Sequence, residues 1–376
     1  MIRTLSPAIA IVATTVSSMV ASVAAPVADL AAGPPPEQLT SGPIADAIDV
    51  VEAIGDGREF LTTYVAPDGR VVRHDQGGDT VSEGQGYAML ISAAIGDEET
   101  FRRVWSWTDR ELRRSDGLFA WQWSDGAVVD DEAAADADLF IAGALSLAGH
   151  RFEDPALTSA ADRISTAVLE LETIESDGRR VLAAGPWAIE RRVLNPSYAV
   201  FPLMSRLWWD GQWAWAGVAS GTRRALDELT RNAPHLPPDW ASLTIGADGQ
   251  AWPQPSGRPP RYGWDAVRVP VQLAADCNEL GQRVAARMWP FFLSQGVTVA
   301  AVYSLDGTVL DRSPHPAAMV GAAGAASAAG ADESVAVLLD RAAMYDADQP
   351  TYYGAAWLAL GRLWLTTSLL GGCADR

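Results

Sequence analysis

The stretch Ser82-Glu83-Gly84-Gln85-Gly86-Tyr87 sets a single carboxylate, Glu83, among small residues, with an apolar run from Tyr87 to Ile95 behind it. The apolar spacing predicts a helix, with Thr80 and Ser82 as candidate caps and Glu83 in the first turn. The helix dipole favours an acid there, and this alone accounts for most such glutamates. Small neighbours also let a bulky ligand approach, and a carboxyl that keeps its proton in a cleft is a general acid. A second stretch, Asp130-Asp131-Glu132-Ala133-Ala134-Ala135-Asp136-Ala137-Asp138, puts five carboxylates in nine positions ahead of another apolar helix. Capping explains one or two of them, with Asp136 and Asp138 the candidates. It does not explain five, because like charges this close cost stability unless something uses them. Two residues apart on one helix start, Asp138 points away if Asp136 points into a site. In the third stretch, Arg261-Tyr262-Gly263-Trp264-Asp265-Ala266-Val267-Arg268, Asp265 stands at a helix start with Arg268 three residues on. The plain reading is a capping aspartate with an i, i+3 ion pair. In a site, the same arginine would keep Asp265 ionised. One protonated and one ionised carboxyl, facing each other, would make an acid–base pair able to drive a hydrolysis without metal or cofactor.

Composition points the same way. Fifteen tryptophans occur in 376 residues, many beside Gly, Asp, Gln or Ser. Aromatic faces next to polar groups suit a sugar polymer, whose C–H faces stack on rings while its hydroxyls find partners. Trp121, Trp123, Tyr198 and Trp264 are the candidate platforms, with Tyr87 and Arg268 as further substrate contacts; Trp105, Trp289 and Trp364 read as core. A net charge of −19 excludes nucleic acid, which needs clustered Lys and Arg, but leaves a polycationic polymer open. His74, His150, His235 and His315 are scattered, with no HExxH and no CxxC, so no metal or other cofactor is expected. Cys277 and Cys373 are too far apart in sequence to show whether they meet.

Residues 1–25 read as an export signal: Arg3, an Ala- and Val-rich run, then small residues at Ala21, Ser22 and Ala24. An uncleaved anchor is the alternative. Residues 26–41, with Gly33-Pro34-Pro35-Pro36, form a spacer ahead of one domain over 42–372. The expected location is secreted or periplasmic, off the membrane once the signal is removed. Helical patterns cover 43–54, 83–96, 98–114, 137–149, 155–174, 197–209, 214–232, 266–276, 278–295, 332–344 and 351–370. Strand-like pieces with Asp-Gly turns, such as Leu118–Trp123 before Asp125-Gly126, lie between them. The pattern predicts an all-α fold; a closed ring of helix pairs and an irregular bundle both satisfy it.

Taken together the three stretches resemble glycoside hydrolase family 8. Ser82–Tyr87 is similar to that family's acid motif, Ala134-Ala135-Asp136-Ala137-Asp138-Leu139-Phe140-Ile141-Ala142 to its signature, and Tyr262–Pro270 to the base segment of its bacterial cellulase branch. Asn195-Pro196-Ser197-Tyr198 resembles a groove-lining segment of the same branch. Ala135 stands where the family usually has Ser or Thr, removing a hydroxyl beside Asp136. The resemblance implies an (α/α)6 barrel and an inverting endo-hydrolase of a β-1,4-linked polymer. Glu83 would be the general acid, protonated at working pH, with Asp265 the base and Asp136 the residue that binds and distorts the sugar. Cellulose is the expected substrate, with a functional association to cellulose synthesis. Xylan, lichenan or chitosan hydrolysis, and a non-catalytic glycan-binding protein, are the alternatives.

Overall fold

Helices that are apolar all round belong inside, and helices with one apolar stripe belong outside. The computed structural model sorts the chain in this way; it describes residues 47–371 except 177, 247–250 and 297. Both the signal and the spacer expected from the sequence lie outside the described residues. The helices are α1 (Ala47–Tyr64), α2 (Ser82–Ile95), α3 (Glu98–Glu111), α4 (Ala135–Arg151), α5 (Pro155–Leu171), α6 (Phe201–Trp209) and α7 (Trp215–Leu229). They continue with α8 (Val269–Ala274), α9 (Glu279–Ala286), α10 (Trp289–Ser294), α11 (Pro316–Ala328), α12 (Asp332–Asp348) and α13 (Tyr352–Leu365). Helices α2, α4, α6, α8, α11 and α13 each pack on the next, and α13 returns to α2, closing a ring. Around it α3, α5, α7, α9 and α12 pack against the inner helix that precedes them, while α1 covers the seam between α13 and α2. This is the (α/α)6 toroid. Arg362 on α13 secures the seam by ion pairs to Glu52 and Asp56 of α1 and Asp340 of α12. No helix among the described residues is long and apolar enough to cross a membrane.

Three elements differ from the sequence reading. Helix α11 has no counterpart in it: Pro316–Ala328 is mostly Ala and Gly, buried on every side, so no polar face marks a period. Helix α1 runs ten residues past the expected end, through Gly55 and Gly57. Gly57 is there because α2 lies close: its missing side chain faces Ile91 and Ile95. The segment expected as one helix over 278–295 breaks between α9 and α10, where Pro290 opens the second piece.

The short strands sit where the chain enters the inner helices. Thr80–Val81 pairs with Gln122–Ser124, which forms a hairpin with Ala127–Asp130 across Asp125-Gly126. Val193–Leu194 pairs with Trp240–Ile245, and Arg261–Tyr262 with Val302–Ser304. These lead into α2, α6 and α8, so the hairpins hold three helix starts at one end of the ring. Cys277 is disulfide-bonded; Cys373 lies outside the described residues.

Candidate active site

The acid motif divides into one exposed group and a buried frame. Neither Thr80 nor Ser82 caps α2, contrary to the sequence expectation; the cap position is Val81. Thr80 is held in the strand pair and donates its hydroxyl to the Val71 carbonyl at 2.6 Å. Gln85, fully buried, accepts from the Val71 N–H at 2.6 Å and donates to Thr108 Oγ1 at 2.8 Å, tying α2 to α3. A Cβ on Gly84 would lie 2.6 Å from the Tyr352 hydroxyl, and one on Gly86 2.6 Å from Phe140 Cβ. Both glycines therefore serve close approach of α13 and α4. Glu83 alone of the motif turns outward, with 20% of its side chain accessible.

Arg268 is the centre, and its side chain is only 1% accessible. Nη1 donates to Glu83 Oε2 at 2.9 Å, to Asp136 Oδ2 at 2.8 Å and to the Tyr87 hydroxyl at 3.2 Å. Nη2 donates to Asp265 Oδ1 at 2.9 Å and to Ser197 Oγ at 2.6 Å. One guanidinium thus gathers three carboxylates from the starts of α2, α4 and α8. Asp136 is 2% accessible and Asp265 29%, so Asp136 forms the floor while Glu83 and Asp265 flank the opening. Glu83 and Asp265 can lie no further apart than two hydrogen bonds and one guanidinium edge. Burial pushes the Asp136 carboxyl up to about 7; Arg268 opposes this, and the charges of Glu83 and Asp265 add to it. Burial likewise lifts Asp265 to about 6, again against the pull of Arg268.

The other expected contacts fall in different places. Trp264 and Trp121 each leave more than a third of their surface open. The Tyr198 ring lies 5.5 Å from the Arg268 guanidinium, and Trp240 packs edge-on against it. Trp123 is half-buried, covered on one side by Arg70 and packed edge-on to Trp107. Tyr87 is fully buried, its hydroxyl held by Arg268 and by the Trp357 indole N–H. It braces the arginine and leaves no ring face to a ligand. Neither Asp136 nor Asp138 caps α4; Asp138 points away from Arg268 and accepts the Phe119 N–H at 3.0 Å.

The sequence reading missed the braces. Asp239 accepts the backbone N–H of Gly263 at 2.9 Å and of Ala266 at 3.0 Å, fixing the loop that carries Asp265. Gln272 donates to the Ser197 carbonyl, and Asn195 accepts from the Ser197 hydroxyl, which orients it toward Arg268. Tyr353 donates to the Trp264 carbonyl at 2.6 Å. Apart from Asn195, whose partner Ser197 is two residues on, no local pattern marks these residues, because each partner is a backbone group far away in sequence. Only the Asn195–Tyr198 resemblance pointed near one of them.

Replacing Arg268 with Met should therefore leave three acids, one of them enclosed, facing one another. We expect the unfolding free energy to fall by about 3–5 kcal/mol near neutral pH, the usual cost of removing one partner from a buried charge cluster. Urea unfolding at two pH values checks the cause. The deficit should shrink in mild acid, where the acids take up protons; an equal loss at both values would mean Arg268 acts by packing alone.

The profile of the family described as Glycosyl hydrolases family 8 matches residues 48–367. A probable endoglucanase of Novacetimonas hansenii is 34% identical over 266 residues, covering 69% of this chain and 77% of that protein. An endoglucanase of Cellulomonas uda is 33% identical over 223 residues, 57% of this chain; the match spans 61% of that relative's length. The crystal structure of an endo-β-1,4-glucanase from Acetobacter xylinum superposes with a TM-score of 0.69 at 28% identity, covering 83% of this chain and 97% of that one. A family 8 endoglucanase from Klebsiella pneumoniae gives the same TM-score at 26% identity, covering 83% of this chain and 98% of its own. An all-helical toroid with carboxylates gathered at one end of its inner ring is thus matched by family profile, sequence and fold alike. The chain belongs to glycosyl hydrolase family 8.

Proposed function

We propose that this protein is an endo-acting, inverting β-1,4-glucanase with Glu83 as general acid, Asp265 as general base and Asp136 as the group that holds the sugar at the cleavage point. The observation that carries the reading is the convergence of the three carboxylates on Arg268, with two at the opening and one in the floor. Glu83 gives its proton to the glycosidic oxygen as the C–O bond breaks. Asp265 removes a proton from the water that attacks the anomeric carbon from the opposite face. Asp136, too enclosed to activate a water of its own, accepts a hydroxyl of the distorted sugar. Proton exchange with solvent then restores both acids. Trp121, Tyr198 and Trp264 provide ring faces for neighbouring sugars; Trp123 offers only the face that Arg70 leaves open. The names of the relatives favour a glucan, and the expected export signal favours action outside the cytoplasm, on polymer made or met there. Release of reducing ends from carboxymethylcellulose, xylan and chitosan tests the substrate. We expect the first to be cleaved fastest. Preference for either of the others overturns the glucan assignment, and binding without turnover on all three leaves a glycan-binding protein.

A further inference from the structure

Two carboxyl groups near the site have no place in the reaction just described. Asp138, in the first turn of α4, and Glu172, which caps the end of α5, are both fully enclosed. Helices α4 and α5 form an antiparallel pair joined by a short turn, so the end of α5 lies beside the start of α4. Asp138 Oδ1 accepts the Phe119 N–H, but among the described residues Asp138 Oδ2 and both carboxyl oxygens of Glu172 meet no donor. Among the described residues, neither acid has a cation at contact. Arg114, the positive group whose field reaches them, is bound to Asp116 at 2.8 Å. The other charged groups facing the pair, Asp136 from α4 and Asp116 from the segment after α3, are acids too.

Two bare carboxylates in such a place would repel each other, with only the Phe119 N–H and the field of Arg114 to offset their desolvation. A carboxylic acid, by contrast, is a donor as well as an acceptor, and one proton between the two would satisfy oxygens that are otherwise orphaned. We propose that Asp138 and Glu172 form a proton-sharing acid pair that positions the floor of the groove. The pair sits where three groove segments meet. Phe119 leads to Trp121, whose carbonyl accepts the Ser82 N–H beside Glu83. Asp138 follows Asp136 on the same turn. The Glu172 carbonyl accepts the Ala183 N–H, and the next carbonyl, Ala184, accepts the Ala135 N–H. Burial pushes both acids well up, and the charge of Asp138 is the next largest influence on Glu172. The role as positioning residues rests on the proposed reaction; the shared proton does not.

The sign of the pH effect follows. The unfolded chain releases these protons near the ordinary range, about 4, while the folded chain keeps at least one. The pair therefore stabilises the fold most fully at acid pH, and that contribution declines as pH rises. Three measurements test the proposal. Infrared difference spectra of native protein against the Asp138→Asn, Glu172→Gln double variant should show a protonated-carboxyl band in the native form at neutral pH; its absence overturns the pair. Melting of Glu172→Gln, whose amide supplies the donor without a proton to lose, should exceed that of native protein increasingly as pH rises. Equal slopes overturn the pair as well. On carboxymethylcellulose, Glu172→Gln should keep native turnover, while a folded Glu172→Leu should lose tenfold or more in kcat. Native kcat in Glu172→Leu removes the positioning role. Inactivity of the native protein on every glucan would instead count against the proposed function, with the infrared and melting results still deciding the pair.

Discussion

Glu83→Gln is expected to fold and bind carboxymethylcellulose as the native protein does, and to turn it over about 10²–10⁴-fold more slowly, the span typical of losing a general acid. The amide keeps the volume of the carboxyl and can still lie against Arg268, so the frame of Gln85, Gly84 and Gly86 is undisturbed. What it cannot do is deliver a proton to the leaving oxygen. The loss should therefore depend on the leaving group. An aryl cello-oligosaccharide bearing a strongly acidic phenol departs without protonation, and on it the variant should recover most of the deficit. A uniform loss on both substrates would mean that Glu83 binds rather than protonates. An unchanged rate would end its assignment.

Asp265→Asn is expected to abolish turnover on every substrate, aryl glycosides included, because the attacking water loses its base whatever leaves. The product reports the stereochemistry. An inverting pair needs its carboxyls about 6.5–9.5 Å apart to admit the water, against about 5–5.5 Å for a retaining one. Proton NMR of the first reducing ends formed should show the α-anomer; a β-anomer at early times would take Asp265 out of the base role. The pH profile gives a second check. Burial lifts Asp265 to about 6, so kcat/KM of the native enzyme should fall as pH drops through that value and the carboxyl takes up its proton. A profile that stays flat well below it would require another base.

How much of this was legible in the sequence depended on range. Features fixed within one helical turn could be read: Glu83 in the first turn of α2, the opposed directions of Asp136 and Asp138, and the Asp265–Arg268 pair at 2.9 Å. What Arg268 does besides that could not. Its bonds to Asp136 and Glu83 cross 132 and 185 residues, and no spacing along the chain encodes them. The capping roles given to Thr80 and Ser82 failed because a strand pair claims Thr80 and turns Ser82 inward. Tyr87 failed as a groove residue for a related reason, since the helix that presents Glu83 turns Tyr87 into the centre of the ring. Helix α11 was invisible because Ala and Gly packed on all sides leave no amphipathic signal.

The same long bonds dictate an order of events during synthesis. Glu83 and Asp136 leave the ribosome well before Arg268, and α2 and α4 pack directly on each other. Until the later segment emerges, that early pair of helices brings two acids together with no cation between them. A nascent chain therefore gains little by docking its first half tightly, and contacts of such long range make for slow final assembly. The ties around Arg268 are completed only once the later segments have emerged. The Tyr87–Trp357 bond places the last tie in α13, near the end of the chain. A chain cut short before α13 would lack both the seam of the ring and the brace behind its arginine, so incomplete translation products would carry the acids without the tool they make.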